Sequence, residues 1–393
     1  MGLAGEWHTC PFVDSLQEYT VSMRIIVSAN TTWYLWNFRS GLIKRLVEHG
    51  YQVTVICPRD EYCKKLQSVG CIIKFITISS KGKNVLSDMW VFTQYLRAFI
   101  KDRPSVYIGF TVKPYIYGSL AAHILGVPAI GTVTGLGTTF IRTTWTTQVV
   151  KFLYKVANRY VATIFFQNHV DKRLFVKQKL VDETKGIVVP GSGINLDEFN
   201  VKEIVASRAI DKPVFLFIGR MLKDKGVFEF VDSAVLVKNM FPAAVFQLLG
   251  PTNVENETVI EFNQIQEWAE KGIVEYLGVS EDVRPYIQNA DCIVLPSYRE
   301  GVPRTLLEGA AMGRPLIAAR SVGCVDVVDD KVTGLLCRPR DSQDLADKMI
   351  QFIRLTGEQR KKMAEAGREK VEREFDEEYV ISSYLHAIQG CLI

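Results

Sequence analysis

The sequence has few of the patterns that hold metals or covalent cross-links. Its five histidines, at positions 8, 49, 123, 169 and 386, are scattered, and no His-Glu-x-x-His or clustered Cys/His set occurs. Zinc needs three or four converging ligands, so neither a metal nor any other cofactor is expected. The eight cysteines (Cys10, Cys57, Cys63, Cys71, Cys292, Cys324, Cys337 and Cys391) include no Cys-x-x-Cys pair. Cys57 and Cys292 lie in apolar runs, so buried, reduced thiols in a cytosolic protein are expected. Low-complexity stretches and short repeats are lacking, which excludes a disordered or collagen-like chain. Gly135-x-Gly137 and Gly191-x-Gly193 each begin a dinucleotide fingerprint, but both lack the third glycine and the later acidic residue, so NAD binding is not expected. No aromatic-basic RNA motif or recognition helix is present, so nucleic acid is not an expected partner.

Long apolar runs are also lacking. Residues 1–22 contain Glu6, Asp14 and Glu18 but no Lys or Arg, unlike a signal peptide. The first regular segment starts at Met23, so 1–22 are expected to be a poorly ordered N-terminal extension, with Met1 or Met23 as the start. Between Lys113 and Arg142 charge is scarce, yet Gly126, Pro128, Gly131, Gly135 and Gly137 interrupt the stretch. It reads as a buried helix, a buried strand and a glycine loop rather than a membrane span.

What is present is an ordinary globular balance: 393 residues, 48% hydrophobic and 23% charged. This length suits two or three domains. The net charge of +4 is unevenly spread. Residues 1–200 hold 23 Lys+Arg against 13 Asp+Glu, a net of +10, and the remainder holds 24 against 30, a net of −6. The basic half suits an anionic partner. Short β-branched runs at 24–28, 52–57, 71–77, 105–110, 128–133, 162–167 and 186–190 alternate with helical patterns such as 38–49, 86–102, 115–125 and 145–160. A polar connection near 195–212 ends at Pro213, and a second series follows at 214–218, 244–249, 273–277, 291–296, 315–319 and 334–337. Helical stretches at 341–355, 357–372 and 377–389 close the chain. Such alternation implies an α/β fold of two doubly wound, Rossmann-like domains facing across a cleft, with residues 23–200 and 201–375 as the domains. Ligands in such sheets bind beyond the carboxyl ends of the strands.

Two loops at those ends carry chemistry. The first reads Gly219-Arg220-Met221-Leu222-Lys223-Asp224-Lys225-Gly226. It places Arg220 and Lys225 between a strand end and a helix start, a site suited to a diphosphate. The second, Pro296-Ser297-Tyr298-Arg299-Glu300-Gly301-Val302-Pro303, leads into a helix carrying Glu308. Gly301 permits close backbone approach and Pro303 suits a first helical turn. One carboxylate can then reach a sugar and the other a ribose diol.

The Glu300-x7-Glu308 pair and the Arg220-x4-Lys225-Gly226 loop resemble the family 4 glycosyltransferases, retaining enzymes of the GT-B fold. The resemblance runs from about Met23 to the end. It includes the Gly278 turn and Asp282, where the family holds the nucleotide base, and the Pro190-Gly191-Ser192-Gly193-Ile194-Asn195 turn into the linker. It implies that Gly219, Arg220, Lys225, Gly278, Gly301, Val302 and Glu308 bind the donor, with the diphosphate on Arg220 and Lys225 and the ribose on Glu308. Glu300 would hold the transferred sugar, and Glu300, Arg220 and Lys225 would carry catalysis. The resemblance also implies that 376–393 pack back on the first domain, which binds the acceptor.

The first domain departs from the commonest pattern. The loop Ser28-Ala29-Asn30-Thr31-Thr32-Trp33-Tyr34-Leu35-Trp36-Asn37-Phe38-Arg39 lacks paired glycines. The loop Thr134-Gly135-Leu136-Gly137-Thr138-Thr139-Phe140 lacks the usual histidine and resembles a bacterial branch acting on polyprenyl-diphosphate-linked saccharides. Asn30, Arg39, Thr134 and Gly135 are the expected acceptor-side residues. Residues 138–160 combine Phe140, Ile141, Trp145, Phe152 and Tyr154 with Arg142, Lys151, Lys155 and Arg159, which suits an anionic membrane surface touched by Trp145, Lys151 and Lys155.

The resulting expectation is a retaining transferase. It moves a hexose or N-acetylhexosamine from a UDP-linked donor to a lipid-linked saccharide in cell-surface glycan assembly. It works in the cytoplasm, peripheral on the inner face of the membrane. A two-domain sugar-nucleotide epimerase and a non-catalytic saccharide- or lipid-binding scaffold are the alternatives.

Overall fold

Runs rich in Val, Ile and Phe form strands, and every strand pair among the described residues is parallel. The computed structural model describes residues 23–78, 85–135, 145–200, 212–254 and 256–392. The expectations for 1–22, Cys10, Gly137, Phe140, Ile141, Arg142, the side chain of Trp145 and the linker at 201–211 lie outside the described residues.

The first sheet contains β1 (Arg24–Ser28), β2 (Gln52–Cys57), β3 (Ile72–Phe75), β4 (Val106–Phe110), β5 (Ala129–Val133), β6 (Thr163–Phe166) and β7 (Gly186–Val188), in the order β3-β2-β1-β4-β5-β6-β7. Its helices are α1 (Thr32–Glu48), α2 (Cys63–Ser68), α3 (Val85–Asp102), α4 (Ser119–Ile124), α5 (Trp145–Tyr160) and α6 (His169–Lys177). A π-helical turn, Pro114–Gly118, leads into α4. Alternate residues of β1 serve two cores. Ile25 and Val27 meet Leu42 and Ile43 of α1, whereas Ile26 meets Val91 and Tyr95 of α3. Burial on both faces explains the nearly continuous apolar strands.

The second sheet contains β8 (Val214–Ile218), β9 (Val245–Leu249), β10 (Glu275–Tyr276), β11 (Cys292–Leu295), β12 (Leu316–Ala319) and β13 (Gly334–Cys337), in the order β10-β9-β8-β11-β12-β13. Helices α7 (Val227–Met240), α8 (Phe262–Glu270), α9 (Arg284–Asn289), α10 (Arg304–Ala311), α11 (Cys324–Val327), α12 (Ser342–Arg354) and α13 (Gly357–Glu374) belong to it. Phe230 of α7 packs edge-on against Phe246, which stacks on Phe215. Burying each such ring contributes about 1.5–3 kcal/mol.

The last helix, α14 (Glu377–Leu392), returns to the first domain, where Val380, Ile381, Tyr384 and Ile388 join the core beneath α1. The outgoing and returning chains pair where they cross. Ile194 donates to the Phe375 carbonyl at 2.8 Å, and Glu377 donates to that of Ile194 at 3.1 Å. Asn195 Nδ2 donates to Glu377 Oε1 at 2.6 Å. Gly193 is required here, because a Cβ on it would lie 2.4 Å from Glu377 Cα.

Cys57, Cys63, Cys71, Cys292, Cys324 and Cys337 are buried free thiols. Burial pushes Cys71 up to about 11 and Cys324 and Cys337 up to about 12, keeping them protonated and inert. Among the described residues no helix is long and apolar enough to cross a membrane.

Candidate active site

Strand order reverses between β8 and β11, and the two loops leaving those strands lie side by side. After β8 the chain passes Gly219 and Arg220, turns through a 3₁₀ segment (Lys223–Lys225), and enters α7 at Gly226 with φ of 76°. A Cβ on Gly226 would lie 2.3 Å from the Pro296 carbonyl oxygen, so glycine permits the close approach of the β11 loop. Tyr298 N–H then donates to the Asp224 carbonyl at 3.0 Å. This contact brings Lys225 Nζ to 2.5 Å from Glu300 Oε1, with both side chains mostly buried. Arg220 is exposed; its carbonyl accepts from Leu222 N–H at 2.8 Å, and its guanidinium has no hydrogen-bond or ion-pair partner among the described residues.

The β11 loop ends at Pro303, which stands just before α10 rather than within it. No side chain caps this helix, so its first N–H groups remain for other acceptors. Glu308 is buried on α10, and its Oε1 accepts from Arg304 Nε at 2.8 Å. Burial raises the Glu308 carboxyl pKa above the ordinary glutamate value, and Arg304 opposes the rise. Arg304 also donates to the Asn37 carbonyl in the first domain and lies over the rings of Phe38 and Phe199, at 5.5 and 5.7 Å. Sequence reading missed Arg304, although its four-residue spacing from Glu308 is that of a helical ion pair.

Gly219, Gly250 and Gly278 bring the ends of β8, β9 and β10 together. A Cβ on Gly250 would lie 2.0 Å from the Gly219 carbonyl oxygen. The Gly278 carbonyl accepts from Gly250 N–H at 2.8 Å, and Gly278 itself, with φ of 74°, has open space where a Cβ would stand. Asp282 binds Arg284 through both carboxylate oxygens, at 2.7 and 2.9 Å. Val302 packs on the second-domain core and faces the linker turn, because a Cβ on Gly191 would lie 2.8 Å from its Cβ.

On the acceptor side, exposed Asn30 donates its N–H to Thr111 Oγ1 at 3.1 Å, across the β1/β4 reversal. Half-buried Thr134 follows β5, and Gly135, with φ of 97°, approaches the second domain so closely that a Cβ would lie 3.3 Å from Gly301 N.

Arg39 is a correction. Thr31 caps α1 by accepting from Tyr34 N–H, and no glycine interrupts the next two turns. Residues 32–37, read from the sequence as loop, therefore extend the helix expected over 38–49, and Arg39 shares the inward face with Leu35, Leu42 and Leu46. It is 2% exposed, lying 4.7 Å from the Phe110 ring centroid and 5.5 Å from that of Tyr384. Arg39 is thus a core cation beneath α14, not a residue open to the cleft.

On α5, Lys155 is exposed, Lys151 is partly buried, and Tyr154 turns into the core. This helix packs against α4 and the π-helical turn at Pro114–Gly118.

The comparisons bear on this arrangement. Residues 24–168 match the glycosyl transferase 4-like model and 200–370 match glycosyl transferases group 1. The chain is 31% identical, over 84% of its length and 89% of the relative's, to the N,N'-diacetylbacillosaminyl-diphospho-undecaprenol alpha-1,3-N-acetylgalactosaminyltransferase of Campylobacter jejuni. The chain belongs to the group 1 glycosyl transferases.

A second relative of this transferase is the UDP-Gal:alpha-D-GlcNAc-diphosphoundecaprenol alpha-1,3-galactosyltransferase of Escherichia coli, 24% identical over 70% of this chain and 73% of its own. Two solved structures share the fold of the transferase. A Rickettsia africae glycosyltransferase gives a TM-score of 0.76 at 19% identity, covering 94% of this chain and 98% of that one. Anabaena HepE in complex with UDP gives 0.76 at 16% identity, covering 94% and 100%. Two doubly wound domains in the GT-B arrangement are therefore found as expected. The transferase assignment also stands above the epimerase and scaffold alternatives.

Proposed function

We propose that this transferase moves a hexose or N-acetylhexosamine, with retention, from a UDP-linked donor to a lipid-linked saccharide in cell-surface glycan assembly. The observation that carries the reading is the Lys225–Glu300 pair at the second sheet's reversal point, with Arg220 on the same loop as Lys225 and buried Glu308 on the helix that follows the loop of Glu300. Two cations beside two carboxylates suit a sugar diphosphate. The cations offset charge developing on the leaving phosphate, and the carboxylates accept from sugar and ribose hydroxyls. The activities of the Campylobacter and Escherichia relatives support a diphospho-undecaprenol-linked acceptor, and the UDP complex of HepE supports the donor base. In a front-face route the leaving phosphate itself accepts the acceptor's proton, so no carboxylate pair of the glycosidase kind is needed.

The proposal also places the protein on the inner face of the cell membrane. Helices α3, α4 and α5 form one layer, and its outer surface exposes Met89, Trp90, Ile124 and Phe152 near Arg97, Lys151 and Lys155. Apolar side chains among basic ones suit an anionic lipid surface.

The test is a donor screen with diphospho-undecaprenol-linked saccharides, followed by NMR of the product anomer. One donor should be consumed only when acceptor is present, with its anomeric configuration kept. Consumption without acceptor would indicate epimerase chemistry. The absence of turnover with every donor would indicate a binding scaffold, and an inverted product would end the retaining assignment.

A further inference from the structure

Glu300 is in the second domain, yet the residues on either side of it are held by the first. Arg299 bonds to Asp171 of α6, whose side chain is fully buried. The Gly301 carbonyl accepts from Asn168 Nδ2 at 3.0 Å. Asn168 is the N-cap of α6. Its Oδ1 accepts from Asp171 N–H at 2.8 Å, and its Nδ2 also lies 3.2 Å from Asp171 Oδ2. One asparagine therefore joins the helix start, the buried aspartate and the loop of the other domain. A Cβ on Gly301 would stand 1.9 Å from Gln167 Oε1, the far end of a flexible side chain, and 3.5 Å from the Gln167 Cβ, so the loop lies in contact with the first domain here too.

A buried carboxylate without a partner is costly, and here the guanidinium that offsets Asp171 comes from across the cleft. Parting the domains would strip Asp171 of Arg299 and free both flanks of Glu300. Bringing them together restores both contacts at once.

We propose that Asn168 and Asp171 are positioning residues. By gripping Arg299 and Gly301 they set the loop that carries Glu300, so the sugar-holding carboxylate reaches working geometry through closure of the first domain. This rests on the sugar-binding reading of Glu300. Both residues lie in the first domain, apart from the residues expected to bind the donor, so nucleotide binding and turnover should separate when they are changed.

The test compares kcat with the Kd for UDP, measured by calorimetry on the full chain. Asn168→Ser keeps an N-cap oxygen but has no amide to reach Gly301, so α6 should stay formed. Its kcat should fall by about 10- to 100-fold, since small misplacements at a reacting centre carry losses of that order. Its UDP Kd should stay within about 3-fold and its melting temperature unchanged, because UDP lies in the second domain. Arg299→Gln, Asp171→Asn and their double variant complete the set, and the double should lose no more than the worse single, because both break one contact. Near-normal kcat in Asn168→Ser, a parallel loss of UDP affinity, or multiplying losses in the pair would each overturn the proposal. Glu300→Gln separates the two levels. If it is inactive while Asn168→Ser turns over normally, the positioning claim alone falls. If Glu300→Gln itself turns over normally, the reading of Glu300 falls first.

Discussion

Lys225 Nζ stands 2.5 Å from Glu300 Oε1, tying the loop after β8 to the loop after β11. The two residues are 75 positions apart and meet because Gly226 lets one loop press against the Pro296 carbonyl. A mostly buried pair is screened less than a surface one. It therefore holds an ammonium and a carboxylate in fixed places before any donor arrives, which is the preorganisation that electrostatic catalysis requires.

Arg220→Ala and Lys225→Ala should each lower kcat by about 10²-fold or more, by analogy with the loss of other transition-state donors. The Arg220 guanidinium has no partner among the described residues, so its variant should melt like the wild type. Lys225→Ala also strips Glu300 of its partner and should melt earlier. Steady-state rates at saturating donor, with a thermal melt of each variant, decide this. A cation whose removal leaves turnover near normal does not stabilise the leaving group.

Glu308→Gln should weaken donor binding roughly 10- to 100-fold, since a charged hydrogen bond contributes about 1.5–3 kcal/mol. Burial raises the pKa of this carboxyl, and its ionised form is the better acceptor for ribose hydroxyls. Donor affinity should therefore fall as pH drops, starting above the range of an exposed glutamate. Calorimetry across pH should show this limb in the wild type and not in Glu308→Gln. Equal affinities in the two proteins would remove Glu308 from the donor site.

Activity should survive EDTA. Two cations already face the expected diphosphate, and among the described residues no group of three or more His, Cys, Asp or Glu is placed to hold a metal. Loss on chelation with recovery on added Mg²⁺ or Mn²⁺ would show that the two cations are not enough.

The protein should sediment with vesicles containing anionic lipid and be partly released by high salt. Attraction of about 1 kcal/mol per basic residue near such a surface supports reversible binding once apolar side chains insert. Changing Lys151 and Lys155 together to Glu should weaken it. Trp145→Ala and Phe152→Glu should weaken it further, Phe152 being 65% exposed. A wild-type protein that stays in the supernatant at low salt would leave the membrane proposal without support and favour a soluble acceptor.

Several features were legible without coordinates because they are local. Strands β2, β8 and β13 begin and end where their apolar runs do, and α5 spans the expected 145–160. The loops carrying Arg220, Lys225 and Glu300, and the helix start leading to Glu308, could be found because each follows a strand by a few residues, where a parallel sheet exposes its ligand end. The start of α1 was placed too late, at 38 rather than Thr32, because Thr31 was not recognised as a cap. With the helix begun at 38, Leu35 was left off it, and the inward face that Arg39 shares with Leu35, Leu42 and Leu46 went unrecognised.

The sequence alone determined the alternation of strands and helices, the two-domain division and the motif residues, since periodicity and turn chemistry act over a few residues. Tertiary structure decided which distant groups meet: Lys225 with Glu300, Arg304 with the Asn37 carbonyl 267 residues away, and Arg299 with Asp171. The first meeting follows from β8 and β11 being neighbours in one sheet, and the other two depend on how two separately cored sheets are set against each other. Approach of this kind is governed by the absence of a Cβ at Gly226 and Gly193 and by the paired crossing at Ile194 and Glu377, where short-range spacing carries no information about the partner.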